Sequence, residues 1–234
     1  MSLRRAEVSF RSYAFLWDMD MKRVTLFCGH YGSGKTNIAV NYALDLRSRG
    51  LEVTLADLDI VNPYFRSKDS TAELEKAKVK VIALPFANSS VDLPALPSEA
   101  YSLVQDRSRY AVLDIGGDDR GAYALGRFVP YILEENDYEM IYVVNFYRPL
   151  TETVDQALEV MGEIESACGL KFTSVINNSN LGAETTLDTV RKTADKVSEL
   201  CRRSSLPLFA TTAEKSIAEG DMMPLKLQKR PFEA

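Results

Sequence analysis

The chain has 234 residues, of which 46% are hydrophobic and 26% are charged, a balance that is typical of globular proteins and excludes a disordered chain. Its formal net charge of −5 disfavours a general nucleic-acid-binding surface, and no apolar stretch approaches the length of a membrane span. We therefore expect a single cytoplasmic domain over residues 22–234, with residues 1–21 as a leader of uncertain role.

Short runs of strand-forming residues alternate with helical patterns along the chain. Seven runs are predicted as strands, at residues 24–28, 53–57, 79–84, 110–115, 140–145, 172–177 and 206–211. Most of them are continuously apolar, as strands are when helices cover both faces of a parallel sheet. Gly50 ends the first helix, Pro149 and Thr151 open a later one, and another is predicted over residues 187–200. The alternation predicts a three-layer α/β sandwich with a mainly parallel sheet, whose ligand lies beyond the carboxyl ends of the strands.

The first predicted strand leads into residues 29–36, Gly-His-Tyr-Gly-Ser-Gly-Lys-Thr, which fit the spacing of a phosphate-binding loop and predict a P-loop NTPase fold. The loop glycines allow the backbone to turn several N–H groups inward, and the helix that follows adds the positive end of its dipole. In such a loop Lys35 reaches the β- and γ-phosphates, and the Thr36 hydroxyl holds a magnesium ion. The residues predicted to bind the nucleotide here are Gly29, Gly32, Ser33, Gly34, Lys35, Thr36 and Asn37.

Two later strands end in aspartates, where a nucleotide hydrolase needs carboxylates to hold magnesium and to aim a water molecule. Asp57 and Asp59 lie at the end of the second strand. Asp114 lies near the end of the fourth strand, and Asp118 comes four positions later. Asp114 fits the magnesium-holding acid, and the two glycines after it form a turn that can sense the γ-phosphate. Each of these aspartates also fits a plain turn or helix-capping role.

The cysteines and the histidine exclude several other kinds of site. The three cysteines lie far apart without a Cys-x-x-Cys pair, so their spacing predicts neither a zinc site nor an iron–sulfur cluster. His30 is the only histidine, which excludes multi-histidine metal sites and hydrolase triads whose histidine lies outside the loop.

Together, the loop at residues 29–36, the Asp57-Leu-Asp59 strand end and the Asp114-Ile-Gly-Gly turn resemble the MinD/ParA-related ATPases, a group that includes the nitrogenase iron protein and the cobyrinate diamide synthases. The resemblance covers roughly residues 22–224 as ordered motifs. It implies that Asp59 helps to place magnesium-bound or attacking water, and that Asp118 takes part in water activation.

The resemblance extends to the part of the chain that would hold the base. Residues 174–179 are similar to the strand whose terminal asparagine contacts adenine, and Asn178 takes that position. The tail from Thr211 to Pro224 is similar to the last base-flanking loop and helix of the family. Without the resemblance, an asparagine-rich turn after a strand explains Asn177 and Asn178 equally well.

Two loop residues depart from the family pattern. Many members carry a second lysine near the start of the loop that crosses a dimer interface to the partner's nucleotide, whereas this chain has His30 and Tyr31 there, so a homodimer stays an open alternative. Without that lysine the loop also resembles the GTPases that insert metal into urease and hydrogenase. Those proteins read guanine with an Asn-Lys-x-Asp run, and residues 177–180, Asn-Asn-Ser-Asn, lack both the lysine and the acid, which favours ATP over GTP.

These features predict a magnesium-dependent ATP-binding and hydrolysing switch. Its predicted catalytic residues are Lys35, Asp59 and Asp118, its metal ligands are Thr36, Asp59 and Asp114, and Asn178 contacts the base. Residues 62–66 are a candidate switch segment whose order depends on the γ-phosphate. An unidentified protein partner is expected, and nucleic-acid and membrane partners are not.

Three alternatives keep the same phosphate loop. The first is a small-molecule ligase or kinase, with a second pocket lined by Asn145, Tyr147 and Arg148. The second is a GTPase of the metal-insertion type. The third is a nucleotide-binding module that hardly turns over and recruits a partner.

Overall fold

The computed structural model describes residues 21–58, 68–83, 98–117 and 119–227. Eight strands form one sheet in the order β3-β2-β4-β1-β5-β6-β7-β8, and every neighbouring pair is parallel. The strands are β1 (Val24–Cys28), β2 (Val53–Leu58), β3 (Lys80–Ala83), β4 (Tyr110–Ile115), β5 (Tyr138–Val144), β6 (Ser174–Asn177), β7 (Leu208–Glu214) and β8 (Met223–Leu225). The predicted α/β fold with a parallel sheet is confirmed.

Eight α-helices of the described residues connect and cover the strands. They are α1 (Lys35–Ser48), α2 (Lys68–Lys76), α3 (Ser102–Gln105), α4 (Asp119–Gly126), α5 (Val129–Glu135), α6 (Val154–Cys168), α7 (Leu187–Arg191) and α8 (Ala194–Ser204), with short 3-10 turns at Ser98–Tyr101 and Gly182–Glu184. None of the helices in these ranges has both the length and the apolar character needed to cross a membrane.

Two hydrophobic clusters lie on opposite faces of the sheet. Successive side chains of a strand point to opposite faces, so Leu26 joins one cluster and Phe27 the other. The cluster around Leu26 includes residues of α3, α4, α5, α6 and α8, and the cluster around Phe27 includes residues of α1 and α2. Burial of both sheet faces explains why most strands are continuously apolar in the sequence.

Several predicted element boundaries were wrong. The helix predicted to open at Pro149 and Thr151 begins at Val154, because Thr153 caps it by accepting a hydrogen bond from the backbone of Gln156. The helix predicted over residues 187–200 is divided into α7 and α8 at Thr193, whose buried hydroxyl bonds back to the carbonyl of Val190.

The tail of the chain also differs from the prediction. The resemblance implied a loop and a helix between Thr211 and Pro224, whereas β7 runs to Glu214, residues 215–222 form turns and irregular backbone, and residues 223–225 form the eighth strand. Since β8 lies at the edge of the sheet, the missing N–H of Pro224 is tolerated there.

The strand order decides what can surround the phosphate loop. β1 lies in the middle of the sheet, with β4 on one side and β5 on the other. Because all strands are parallel, the segments that follow β1, β4, β5 and β6 meet at the same edge of the sheet.

Candidate phosphate-binding site

The loop between β1 and α1 is a tight backbone turn. Gly32 and Gly34 have φ angles of 77° and 89°, in the left-handed region that favours glycine. At Gly29 a side chain would overlap the backbone carbonyl of Val143 on β5. The loop therefore passes too close to the neighbouring strand for any larger residue, which accounts for the first glycine of the motif.

Lys35 is the first residue of α1 and is only 5% exposed. Its ammonium donates a hydrogen bond of 3.2 Å to the backbone carbonyl of His30, so the side chain extends back across the loop. The hydroxyl of Ser33 is buried and has no hydrogen-bond partner within the described residues. A buried ammonium, a buried hydroxyl without a partner in the described residues and the amino end of a 14-residue helix are the features expected of an anion-binding site.

Thr36 and Asp114 meet where β1 and β4 end. The Thr36 hydroxyl donates a hydrogen bond of 2.5 Å to Oδ2 of Asp114, which is fully buried. Hydroxyl and carboxylate oxygens are the hard donors that magnesium prefers, and proteins usually bind this ion through one or two such side chains together with substrate phosphates. The pair therefore fits the magnesium site that the sequence predicts.

A second carboxylate lies beside this pair. Asp57 on β2 is in register with Asp114 on β4 and is 3% exposed. Buried carboxylates of this kind are retained where a cation or hydrogen-bond donors compensate them. No group of three or more His, Cys, Asp or Glu side chains in the described ranges is arranged to hold a metal alone.

The turn after β4 packs directly against the phosphate loop. A side chain at Gly117 would lie 2.5 Å from the backbone nitrogen of Tyr31 and 2.9 Å from the carbonyl of Gly29. This contact places the predicted γ-phosphate sensor next to the loop. Asp59, Asp118 and the candidate switch segment at residues 62–66 lie outside the described residues, so their predicted roles stay predictions.

Asn178 connects the end of β6 to the phosphate loop. The side chain is 6% exposed, and its amide nitrogen donates a hydrogen bond of 2.7 Å to the carbonyl of Ser33. Its carbonyl oxygen accepts a hydrogen bond of 2.6 Å from the hydroxyl of Thr212 on β7. Sequence reasoning missed Thr212, although it lies next to the end of the last predicted strand. The predicted contact of Asn178 with adenine stays a prediction.

The turn after β5 contains the three residues considered for a second pocket. Asn145 is fully buried, and its side chain bonds to the backbone of Asn180 and Tyr147. The Tyr147 hydroxyl donates to the carbonyl of Thr189. The side chains of Asn145 and Tyr147 therefore stabilise the turn through hydrogen bonds to the backbone. Of these three residues only Arg148 contacts the phosphate loop, where its Nε donates a 3.1 Å hydrogen bond to the carbonyl of Gly32.

Cys28 is the last residue before the loop and is buried. Burial raises the pKa of its thiol well above the usual value, Cys168 adds to the rise, and the ammonium of Lys35 acts in the opposite direction. The thiol is therefore protonated at neutral pH and is a packing residue rather than a nucleophile.

No protein-family profile matches this chain, and no curated protein sequence matches it. Solved structures do match its fold. The cell division protein FtsY from Thermotoga maritima is 17% identical with a TM-score of 0.56, and the match covers 87% of this chain and 65% of that one.

Two further solved structures show the same likeness. The signal recognition particle receptor FtsY from Elizabethkingia anophelis is 17% identical with a TM-score of 0.50, and the match covers 92% of this chain and 67% of that one. The 54 kDa signal recognition particle protein from Aeropyrum pernix, in complex with GDP, is 15% identical with a TM-score of 0.51, and the match covers 83% of this chain and 42% of that one. The chain thus spans about two thirds of the FtsY proteins and less than half of the Aeropyrum protein. At these identities the likeness establishes architecture alone, and the chain has the α/β fold of the P-loop nucleoside triphosphatases.

Proposed function

We propose that this protein is a magnesium-dependent nucleotide switch that binds and hydrolyses ATP. The observation that carries the proposal is the 2.5 Å hydrogen bond between Thr36 and Asp114, directly beside the buried ammonium of Lys35. A phosphate loop alone explains anion binding. A hydroxyl and a carboxylate at the adjoining strand end add the ligands that a magnesium–triphosphate complex requires.

The proposed reaction assigns a role to each of these groups. The loop amides and Lys35 bind the β- and γ-phosphates, and Thr36 and Asp114 would hold the magnesium ion. When bound, magnesium neutralises charge on the β- and γ-phosphate oxygens. The oxygen of a water molecule bonds to the γ-phosphorus, the bond to the β–γ bridging oxygen breaks, and its electron pair leaves with the nucleoside diphosphate. Inorganic phosphate and one proton are released, and Asp59 or Asp118 is proposed to orient the water.

ATP is proposed because residues 177–180 carry neither a lysine nor an acidic side chain with which to read guanine. A GTPase is the second candidate, since the structurally similar protein from Aeropyrum pernix was solved with GDP. The MinD/ParA-like class is proposed from the motif resemblance. Nucleotide-dependent order of the turns after β2 and β4 would signal to a protein partner or to a second copy of the chain, and the cytoplasm is the proposed location.

Calorimetry with ATP, ADP, GTP and GDP, with and without magnesium, tests the base and the metal together. We expect Lys35→Ala to weaken magnesium–ATP binding by at least roughly 10-fold, because charge-assisted hydrogen bonds contribute about 1.5–3 kcal/mol each. Lys171→Ala is the matched control, because Lys171 is an exposed lysine at the start of the segment before β6. Unchanged ATP affinity in Lys35→Ala would overturn the proposal, and tighter binding of GTP would reassign the base. Phosphate release that stays negligible until an acceptor molecule is added would indicate the ligase or kinase alternative.

A further inference from the structure

Arg148 lies at the rim of the phosphate loop. It follows β5, which is the neighbour of β1 in the sheet, so its turn and the loop leave the same edge side by side. Its Nε donates a hydrogen bond of 3.1 Å to the carbonyl of Gly32. A side chain at Gly32 would lie 3.5 Å from that nitrogen and 3.9 Å from the guanidinium carbon. The guanidinium therefore lies alongside the loop backbone, three residues before Lys35.

The turn that carries Arg148 is held in place by buried hydrogen bonds. The carbonyl of Asn145 accepts from the backbone nitrogen of Arg148 at 3.1 Å and from the hydroxyl of Thr151 at 2.7 Å. Asn145 and Thr151 are 0% and 1% exposed. The side-chain oxygen of Asn145 accepts from the backbone of Tyr147 and Asn180. This arrangement fixes the backbone from which the arginine reaches the loop, and a fixed cation loses less entropy when it binds a ligand.

Most of the donors on this guanidinium are unused. An arginine presents five N–H donors, and within the part of the chain that the structure describes Arg148 uses only Nε for a side-chain hydrogen bond, with no ion pair. The loop itself supplies one permanent cation, Lys35, because the other residues at positions 29–36 are neither lysine nor arginine. A triphosphate carries more negative charge than one ammonium balances, and a planar guanidinium suits phosphate oxygens.

We propose that Arg148 is a second phosphate-binding cation, whose terminal N–H groups contact the β–γ region of the bound triphosphate from the rim of the loop. The inference rests on the proposed nucleotide function. When the bond between the γ-phosphorus and the bridging oxygen breaks, negative charge accumulates on that oxygen and on the β-phosphate. A fixed guanidinium stabilises this charge more than it stabilises the ground state, so Arg148 acts mainly on the rate of hydrolysis.

Single-turnover hydrolysis and calorimetric binding of ADP test this role in the full chain. We expect Arg148→Ala to slow hydrolysis by roughly 10- to 1,000-fold, which reaches at most the lower end of the rate effect of an arginine finger. The affinity for ADP should change by less than about 3-fold. Arg148→Lys should recover only part of the rate, because an ammonium lacks the planar set of donors. Added guanidinium at low millimolar concentration should partly restore hydrolysis by Arg148→Ala. Arg202→Ala, on the exposed carboxyl end of α8, is the control and should keep the wild-type rate.

The outcomes separate this inference from the function on which it rests. Failure of the wild-type chain to bind any nucleotide would overturn both. Wild-type binding and hydrolysis with an unchanged rate in Arg148→Ala would overturn the role of Arg148 alone. Equal losses of ADP affinity and of rate, without rescue by guanidinium, would show that Arg148 only shapes the loop and would also overturn the inference.

Discussion

The side-chain nitrogen of Asn178 donates a 2.7 Å hydrogen bond to the carbonyl oxygen of Ser33, which joins the end of β6 to the middle of the phosphate loop. The other end of the same side chain accepts from Thr212 on β7. One buried amide thus links two neighbouring strand ends to the loop, and its loss leaves buried polar groups without partners.

Replacement of Asn178 distinguishes loop positioning from base recognition. We expect Asn178→Ala to lower the free energy of unfolding by about 1–3 kcal/mol, the usual cost of unsatisfied buried polar groups. If the residue only positions the loop, the affinities for ATP and GTP fall by the same factor, whereas a base contact changes the ratio of the two affinities.

A variant of Thr212 tests the second hydrogen bond of the Asn178 side chain. Thr212→Val removes that hydrogen bond, and Thr212→Ser is the conservative control. Asn178→Ala, Thr212→Val and the double variant form a double-mutant cycle, and additive effects on the free energy of unfolding would contradict an energetic coupling through this hydrogen bond.

Alanine variants at Gly34 and Gly50, which have similar φ angles, distinguish the effect of backbone strain from the effect of steric overlap. Gly34 has a φ of 89° and an added side chain would overlap the amide of Asn178, whereas Gly50 has a φ of 84° and open space around it. Both alanine variants should cost about 1–2 kcal/mol in unfolding free energy from left-handed strain. Only Gly34→Ala should also lose phosphate binding, measured by calorimetry with magnesium–ATP. Loss of binding in Gly50→Ala would show that global destabilisation, and not the loop, is responsible.

Gly162 offers a stabilising substitution. It lies inside α6, an added side chain would meet nothing within 4 Å, and its φ is not in the left-handed region. Gly162→Ala should raise the free energy of unfolding by roughly 0.5–1 kcal/mol, because alanine loses less backbone entropy in a helix. Thermal unfolding should show a rise in Tm of roughly 1–4 °C. The Tm of Gly162→Ser should lie between those of the wild type and Gly162→Ala. An unchanged Tm in the alanine variant would contradict the expectation.

Glu139 should make stability depend on pH. Burial raises the pKa of this carboxyl, partly offset by the hydroxyl of Ser174, which donates to it at 3.0 Å. A carboxyl with a raised pKa in the folded state binds its proton more tightly there, so its contribution to stability is present at low pH and is lost as pH rises through the folded pKa. Glu139→Gln should therefore raise Tm at pH 7–8. The difference in Tm between Glu139→Gln and the wild type should shrink as the pH falls to about 4. Glu184→Gln, on an exposed turn, should show no such trend.

Cysteine labelling reports on the phosphate loop directly. Cys201 is partly exposed, whereas Cys28 and Cys168 are buried, so a thiol reagent should react first with Cys201. Cys28 precedes the loop and should react only through opening of the structure. Magnesium–ATP at 100 times its Kd should then slow labelling of Cys28 by about 100-fold, with Cys201 unaffected. Mass spectrometry of labelled peptides measures the labelling rate at each cysteine. Equal labelling rates of Cys28 with and without nucleotide would contradict the expectation that nucleotide binding protects this thiol.

Most of the fold could be predicted from the sequence, because apolar runs and helical periodicity are local patterns that reflect burial. β8 could not, since a three-residue edge strand that contains Pro224 leaves no such pattern. The break between α7 and α8 was also missed. It involves Thr193, whose hydroxyl accepts a hydrogen bond from Asn177 at the end of β6, and helical periodicity contains no sign of a contact between a helix and a strand.

The α/β class, the candidate phosphate loop and the acid at the end of β4 were predictable from the sequence, because the spacing of glycines, lysine and apolar residues is a pattern over a few positions. The other side chains that reach the loop were not predictable in this way, because they come from distant parts of the chain. Asn178 lies 145 positions from Ser33, and Arg148 lies 116 positions from Gly32. Such pairs meet because β1, β5 and β6 are successive neighbours in the sheet, and that strand order arises from packing across the whole chain.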